Sequence, residues 1–313
     1  MQFNQIGYCL GNTRIDLKTK YKNDTSNPYS NFIDKTGIEE VYHSVGETIV
    51  DLALKASKNI EFSPEKIDTM ILVTQSNSSR LPTLSTKVAK SLKLADTTRL
   101  IDLNHGCSGY VIALEIANTL FVSGASQKLL IITCDTYSKF LDERSLTTSV
   151  LFSDAACVTY LTSDGSFQIK KSYAYGKHEE ISSLEIKQNF KFDDQPDGHR
   201  LSMNGPAVYS FARSNVKRAI STIFESTNLT KDDVDLFIFH QASGLILRSI
   251  INDSNIPLNK APTYLPKIGN TTSSSIPILI KLNFAKFNSS AVIFICGFGV
   301  GLHVNALLFS KEK

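Results

Sequence analysis

The 313-residue sequence has no tryptophan, no excess of charge of one sign and no long apolar run. Its net charge is only +3 and its basic residues are scattered, so the concentrated basic face of a nucleic-acid-binding protein is missing. The longest apolar stretches, such as 291–296 and 111–122, fall short of the roughly 20 residues that span a bilayer. The first residues lack a basic region followed by an apolar segment. We therefore expect no nucleic-acid partner, no membrane insertion and no secretion, and a cytoplasmic enzyme is the default.

Cysteine is also scarce, and its spacing excludes two common roles. The five cysteines are Cys9, Cys107, Cys134, Cys157 and Cys296. Their number is odd, and no two of them stand at the short spacing of a metal site. The sequence therefore predicts neither a disulfide framework nor a bound metal.

One cysteine differs from the others in its local sequence. Residues 100–103 (LIDL) form a short apolar run typical of a strand, and the apolar periodicity of 111–122 predicts a helix. Cys107 lies between the two, with Gly106 and Gly109 close by. Because the first amides of a helix are unpaired and partly positive, this elbow favours thiolate over thiol. Cys107 is thus a candidate nucleophile, although most intracellular cysteines pack as small hydrophobic residues.

A local pattern occurs twice along the chain. Residues 63–74 and 230–241 each run from a hydroxyl residue through acidic residues into an apolar strand. Ile67 corresponds to Val234, at an offset of 234 − 67 = 167. Continuous apolar strands of this kind are typical of sheets that helices cover on both faces.

A second pair of segments supports the repeat. Residues 128–134 resemble 290–296, at an offset of 296 − 134 = 162. The economical interpretation is an α/β protein with two similar halves, 1–165 and 166–313. Chance similarity between short apolar runs is the alternative.

Polar residues and glycines follow predicted strands in the second half. His240 comes directly after the apolar segment 234–239, at the kind of strand end where α/β proteins bind ligands. Asn270 stands in a turn of small residues, 269–277, that enters a helix. The glycines of 297–301 allow a close backbone approach, and consecutive amides there suit an oxyanion hole. Each feature also has a structural explanation when taken alone: His240 as a structural histidine, Asn270 as a helix cap and 297–301 as a glycine turn.

Together these segments resemble a known family. The matching segments are 104–110 (NHGCSGY), 239–242 (FHQA), 269–277 (GNTTSSSIP) and 297–301 (GFGVG), with support from 35–38 (KTGI), 150–156 (VLFSDAA) and 203–209 (MNGPAVY). In order and approximate spacing they resemble the signature segments of the β-ketoacyl-acyl-carrier-protein synthase III family. The resemblance covers nearly the whole chain. It implies the thiolase fold, with two duplicated halves in α/β/α/β/α layers, and a homodimer whose active site is reached by a tunnel near the subunit interface.

The resemblance also implies roles for four residues. Cys107 would accept the acyl group as a thioester, and the backbone amides of Cys107 and Val300 would stabilise the oxyanion. His240 and Asn270 would bind the carbonyl oxygen of a malonyl-type thioester and stabilise the enolate that forms as carbon dioxide leaves. The carbanion would then attack the acyl-cysteine. No cofactor and no metal are needed for this chemistry.

Further residues fall at substrate-binding positions of the family: Phe32, Leu81, Gly205, Tyr209 and Ser243. Leu81 stands where a residue of one subunit closes the acyl tunnel of the other, with ordinary dimer packing as the alternative. Ser243 replaces an asparagine that often follows the histidine motif. Phe32 replaces the tryptophan that grips the adenine of coenzyme A, and Leu146 replaces the partner arginine. Because the planar charged contact is lost, these changes favour acyl carrier protein over coenzyme A as the acyl donor.

The expected function is therefore decarboxylative Claisen condensation in fatty-acid or specialised polyketide or lipid biosynthesis. The expected partners are acyl carrier protein, coenzyme A thioesters or both. Gln75 stands where hydroxymethylglutaryl-CoA synthase has its carboxylate base, which argues against that relative. Two alternatives remain open: a thiolase-fold acyltransferase that moves the acyl group from Cys107 to an alcohol or amine, and a partner subunit of a heterodimeric synthase.

Overall fold

Two β-sheets form the frame of the molecule. The computed structural model describes residues 1–22, 30–77, 81–142, 145–186 and 200–311. The strands are β1 (Gln2–Leu10), β2 (Thr13–Asp16), β3 (Glu40–His43), β4 (Thr69–Val73), β5 (Arg99–Leu103), β6 (Lys128–Asp135), β7 (Ala155–Thr162), β8 (Phe167–Gly176), β9 (Leu184–Ile186), β10 (Leu201–Met203), β11 (Leu236–Phe239), β12 (Val292–Gly299) and β13 (His303–Lys311). The helices are α1 (Leu17–Lys20), α2 (Ser30–Thr36), α3 (Ile49–Ser57), α4 (Leu84–Leu92), α5 (Gly109–Val122), α6 (Leu146–Ser149), α7 (Gly205–Glu225), α8 (Gly244–Asp253), α9 (Leu265–Ile268), α10 (Ser275–Leu282) and α11 (Phe284–Ser289).

The two large sheets have the same strand order. The first runs β1-β7-β6-β4-β5 and the second runs β8-β13-β12-β11. In both, a parallel pair lies next to two antiparallel strands: β4 with β6, and β11 with β12. All strands of the first sheet precede residue 165, and all strands of the second follow it. The division into halves at that point stays a prediction.

Equivalent aspartates connect the parallel strands of each sheet. The Asp68 carboxylate accepts a hydrogen bond from Lys128 N at 2.9 Å, and the Asp235 carboxylate accepts one from Val292 N at 3.0 Å. The offset of 167 agrees with this equivalence, since 235 − 68 = 167. The second offset was wrong, because 292 − 128 = 164 rather than 162. A slip of two residues keeps every side chain on the same face of a strand, so an apolar pattern does not reveal it.

Helices cover both sheets and also lie between them. α5 and α10 each contact both sheets, whereas α3 and α4 cover the outer face of the first sheet. α7 covers the outer face of the second sheet, and α8 packs against α7. The result is the expected sequence of five layers, α/β/α/β/α. Three apolar clusters fill the three spaces on either side of and between the sheets. β4 and β12 are interior strands of the two sheets, and every residue of both strands is buried.

One helix is shorter than the sequence pattern predicts. The apolar periodicity of 275–287 predicts a single helix, but α10 ends at Leu282 and α11 begins at Phe284. Between them, Asn283 donates from its side-chain amide to the carbonyl oxygen of Leu279, in competition with the helical backbone. No helix in the described part of the chain combines the length and apolar character needed to cross a membrane.

Candidate active site

Cys107 lies at the elbow between β5 and α5, as predicted. The elbow is tight because Gly109 N donates to the carbonyl oxygen of Gly106 at 2.7 Å. A methyl group at Gly109 would collide with Val73, which explains the need for glycine in the first turn of α5. Cys107 itself is only 4% exposed.

The expected thiolate character of Cys107 was wrong. Burial, with a smaller contribution from the nearby Asp135 carboxylate, raises the pKa of the Cys107 thiol to about 12. The N–H groups of Val300 and Cys107 lie close enough to the sulfur to lower its pKa, but their effect is smaller. The free thiol is therefore protonated at neutral pH and must lose its proton when it reacts.

The end of β12 brings backbone amides to this thiol. A methyl group added at Gly299 would lie 2.9 Å from Cys107 Sγ, so only glycine fits there. Gly299 has φ +152°, and Gly301, on the other side of Val300, has φ +73°. A ring contact between His105 and His303, with centroids 5.2 Å apart, joins the elbow to the residue after this turn. The structure thus brings the Val300 amide to the thiol.

His240 enters the site from the end of the neighbouring strand β11. Its backbone N–H donates to Cys296 O at 2.9 Å, and its ring makes an edge contact with Phe298 at 5.4 Å between centroids. His240 Nδ1 lies 2.6 Å from Ser275 Oγ, whereas Nε2 makes no hydrogen bond to any residue that the structure describes. Burial lowers the pKa of His240 to about 3, so the ring is neutral at physiological pH.

Asn270 lies beside the loop that follows His240. Its backbone pairs with the segment around Phe152, through Asn270 N to Leu151 O at 2.9 Å and Ser153 N to Asn270 O at 2.8 Å. Its side-chain Nδ2 donates to Ala242 O over a long 3.4 Å. One amide hydrogen of Asn270 therefore remains for a ligand, beside the loop that follows His240.

The other predicted binding residues occupy varied positions. Gly205 begins α7, and Tyr209 on the same helix shares a hydrogen bond of 3.0 Å with Ser249. Ser243 caps α8, where its hydroxyl accepts from Ile246 N at 3.4 Å. Phe32 packs against the outer core on α2, and Leu81 is 87% exposed. Their roles in substrate binding stay predictions.

The sequence reading missed two buried residues that support the site, Ser275 and Asp135. Ser275 belongs to a run of five hydroxyl residues, 271–275, and the sequence alone does not distinguish it from the other four. Asp135 ends the largely apolar strand β6 and is fully buried. A lone carboxylate at the end of a buried strand is the signal that would have identified it.

The chain matches two family models. Residues 101–176 match 3-oxoacyl-(acyl-carrier-protein) synthase III, and residues 224–311 match the C-terminal part of the same family. The β-ketoacyl-(acyl-carrier-protein) synthase III of Streptococcus agalactiae serotype III is 32% identical over 296 residues, 91% of each chain. That of Clostridium perfringens is 32% identical over 286 residues, 88% of each chain.

Solved structures show the same similarity. A 3-oxoacyl-(acyl-carrier-protein) synthase III superposes with a TM-score of 0.90 at 26% identity, over 99% of both chains. The Aquifex aeolicus enzyme of that name gives 0.88 at 25% identity, over 98% of both chains. The priming β-ketosynthase of the R1128 polyketide pathway shares the fold, with a TM-score of 0.85 at 23% identity over 98% of this chain and 96% of its own.

The five layers and the buried thiol at a strand-to-helix elbow define a protein of the thiolase fold. Within that class, the identity to curated relatives over nine-tenths of the chain decides the family. The chain belongs to the 3-oxoacyl-(acyl-carrier-protein) synthase III family.

Proposed function

We propose that this protein is a condensing enzyme that joins an acyl group to a malonyl-type unit with loss of carbon dioxide. One observation carries the proposal: the end of β12 lies against Cys107 through Gly299 and against His240 through Phe298. A nucleophile and a group that binds the second substrate thereby share one buried site. The curated relatives are named β-ketoacyl-(acyl-carrier-protein) synthase III, which supports the same reaction.

The first half-reaction transfers the acyl group to Cys107. When Nδ1–H of His240 donates to Ser275 Oγ, Nε2 is unprotonated and accepts the thiol proton. The sulfur attacks the thioester carbonyl, and the amides of Cys107 and Val300 stabilise the oxyanion. The donor leaves as a thiol that takes the proton back, so Cys107 ends as a thioester and His240 ends neutral.

The second half-reaction uses the other tautomer of His240. Gln241 N points at Ser275 Oγ from 3.4 Å, which leaves the hydroxyl hydrogen to donate to His240 Nδ1. Nε2–H and the Asn270 amide then bind the malonyl thioester carbonyl. As carbon dioxide leaves, both donors stabilise the enolate, and its carbon attacks the acyl thioester on Cys107. The cysteine leaves as a thiolate, which takes up one proton from solvent to restore the thiol, and the β-ketoacyl product forms without a strong base.

Acyl carrier protein is the donor that these residues favour. Leu146 is buried in the outer core on α6, only 4% exposed, so it offers no charged contact to an adenine ring. Phe32 retains an aromatic face, but Leu146 stands where the resemblance implies its arginine partner. We therefore expect acyl carrier protein to acylate Cys107 with a higher kcat/KM than the same acyl group on coenzyme A.

A homodimer is the proposed assembly. β5 is the edge strand of the first sheet, and its outer backbone groups have no partner strand in the described chain. All three of its apolar side chains, Leu100, Ile101 and Leu103, are only half-buried. Pairing of β5 with β5 of a second copy would cover this edge. Leu81, which is 87% exposed, would then be available to the tunnel of the partner subunit.

The direct test of this function is the covalent state of Cys107. We expect an acyl mass on the Cys107 peptide after incubation with acyl carrier protein donors, and none in Cys107→Ala. Cys296→Ala is the control, because Cys296 is equally buried but lies within β12. Addition of malonyl carrier protein should release one carbon dioxide per condensation. Acylation without carbon dioxide release would instead favour transfer to an alcohol or amine, and no acylation would reject the nucleophile.

A further inference from the structure

Asp135 is a fully buried carboxylate whose role the two half-reactions leave unexplained. It ends β6 and has 0% exposure. In the part of the chain that the structure describes, no lysine, arginine or histidine forms an ion pair with it. Burial raises the pKa of Asp135, and several hydrogen bonds to the carboxylate act in the opposite direction. Burying a charge without a counterion costs folding free energy, which suggests that Asp135 has a functional role.

Its two oxygens bind different halves of the chain. Asp135 Oδ1 accepts from Gln75 N at 2.8 Å and from Ser76 Oγ at 3.3 Å, both in the loop after β4. Asp135 Oδ2 accepts from Thr272 Oγ1 at 2.8 Å and from Ser273 Oγ at 2.5 Å, both in the loop after Asn270. Each oxygen therefore holds one loop, and the carboxylate joins the two loops.

Each of these loops supports one reacting partner. The Gln75 side chain lies directly against Gly106 in the nucleophile elbow, and its Oε1 accepts from Tyr137 OH at 2.8 Å. Thr272 donates its backbone N–H to Asn270 Oδ1 at 2.9 Å, which fixes the direction of the Asn270 amide. Thr272 also has φ +49°, a conformation that β-branched residues rarely adopt, and its bond to Asp135 holds it there.

We propose that Asp135 is a positioning residue that sets the distance between the Cys107 elbow and Asn270, with one carboxylate oxygen assigned to each loop. The inference rests on the proposed condensation, in which the enolate bound by Asn270 must reach the acyl group on Cys107. A misplacement of about 1 Å between reacting groups costs on the order of 100-fold in rate. Acylation of Cys107 uses the elbow, the β12 turn and His240 but not Asn270, so it does not depend on this distance.

The charge of Asp135 also opposes the reactivity of the free thiol. Its Coulomb effect disfavours the Cys107 thiolate, second only to burial. Removing the charge should therefore lower the pKa of Cys107 and make the thiol easier to alkylate. The rate of condensation should fall in the same variant. Loss of a residue that served only folding would not raise the alkylation rate while it lowered the condensation rate.

Asp154 is the matched control. It is also 0% exposed, and its carboxylate also binds only neutral donors, Ser44 N at 2.7 Å and Ser138 N at 2.8 Å. Both donors belong to the first half of the chain, so Asp154 does not join the halves through its side chain. Asp154→Asn thus removes an equally buried charge without touching either loop of Asp135.

The experiment compares Asp135→Asn, Asp135→Glu and Asp154→Asn with the unaltered enzyme. For Asp135→Asn we expect Cys107 alkylation by iodoacetamide to begin at lower pH and Cys107 acylation to stay within about threefold. Carbon dioxide release by the acylated variant should fall by about 100-fold. Asp135→Glu keeps the charge but changes the geometry, so its alkylation profile should match the unaltered enzyme while its condensation stays slow. Asp154→Asn should change acylation and condensation by the same factor.

Equal losses of acylation and condensation in Asp135→Asn, with an unmoved alkylation profile, would overturn the inference. If Asp135→Asn does not fold, Thr272→Val removes one donor while keeping the side-chain shape. It should slow condensation and leave both alkylation and acylation unchanged, and a normal condensation rate would reject the role. If the unaltered enzyme releases no carbon dioxide, the proposed function fails, whereas the alkylation profiles still report on Asp135.

Discussion

At the scale of single residues, the tautomer of His240 depends on one hydroxyl group. Ser275 Oγ lies 2.6 Å from Nδ1, and no other described side chain bonds to the ring. Without this hydroxyl, both tautomers lose their partner, and a net hydrogen bond contributes about 1 kcal/mol. We expect Ser275→Ala to lower the kcat of condensation by roughly five- to tenfold, with an unchanged KM for the malonyl substrate.

Steady-state kinetics of Ser275→Ala and Ser274→Ala would check this expectation. Ser274 is equally buried but bonds to Thr133 rather than to His240, so its replacement should leave kcat within about twofold. Ser275→Thr keeps a hydroxyl and should recover most of the rate. Similar losses in the two alanine variants would mean that Ser275 acts on packing alone.

The local sequence was sufficient to predict that Cys107 lies at a strand-to-helix elbow, but not to predict its pKa. The elbow follows from an apolar run, two glycines and a helical pattern that are contiguous in the chain. The pKa of the thiol does not follow from that local sequence. It depends on the charge of Asp135 at the end of β6 and on the amide of Val300 after β12, which are distant in the chain. The expected thiolate considered only the helix amides, and the burial that outweighs them is a property of the tertiary structure.

At the scale of elements, the end of β12 leaves no room for a side chain beside the thiol. A methyl group at Gly299 would stand 2.9 Å from Cys107 Sγ, where it would displace the thiol or the Val300 amide. Since loss of one oxyanion donor costs about 100- to 1,000-fold in rate, we expect Gly299→Ala to lower Cys107 acylation by at least 100-fold. The measurement is the single-turnover rate of acylation by intact-protein mass spectrometry.

Gly124→Ala separates backbone strain from contact with the thiol. Gly124 also has a positive φ of +71°, but a methyl group there would meet nothing within 4 Å. Its replacement should therefore cost folding stability of about 1 kcal/mol and leave the acylation rate unchanged. Acylation by Gly299→Ala at the unaltered rate would show that the turn does not serve the thiol.

The strands were predictable as elements, whereas their alignment between the halves was not. Apolar segments such as β6 and β12 are recognisable because both faces of each strand are buried. Because these strands are largely apolar on both faces, the sequence does not show which residue of β6 corresponds to which residue of β12. The aspartate contacts show that the offset is 164. The break at Asn283 was also missed, since apolar periodicity continues across it.

At the scale of the whole molecule, an ion-pair cluster joins the two halves of the chain. Glu40 on β3 binds Arg14 on β2 and also Lys267 on α9, at 2.7 and 3.2 Å. The Arg14 contact, with help from Lys267, holds the pKa of the Glu40 carboxyl at about 2, below its ordinary value of 4.5. A carboxylate with a lowered pKa stabilises the fold above its unfolded pKa, and that contribution disappears as the pH falls towards 2.

Glu40→Gln should therefore lower the thermal unfolding temperature at pH 7 by a few degrees, because it weakens the contact between β3 and α9. Between about pH 4.5 and 2 the unaltered protein loses this contribution, so the two unfolding temperatures should converge as the pH falls. Both cations are largely exposed, so added salt should also reduce the difference at pH 7. Glu180→Gln is the control, since among the described residues Glu180 pairs only with the nearby Lys177, and the change should have little effect at any pH. A difference for Glu40→Gln that stayed constant from pH 7 to pH 2 would show that packing, rather than charge, joins the halves there.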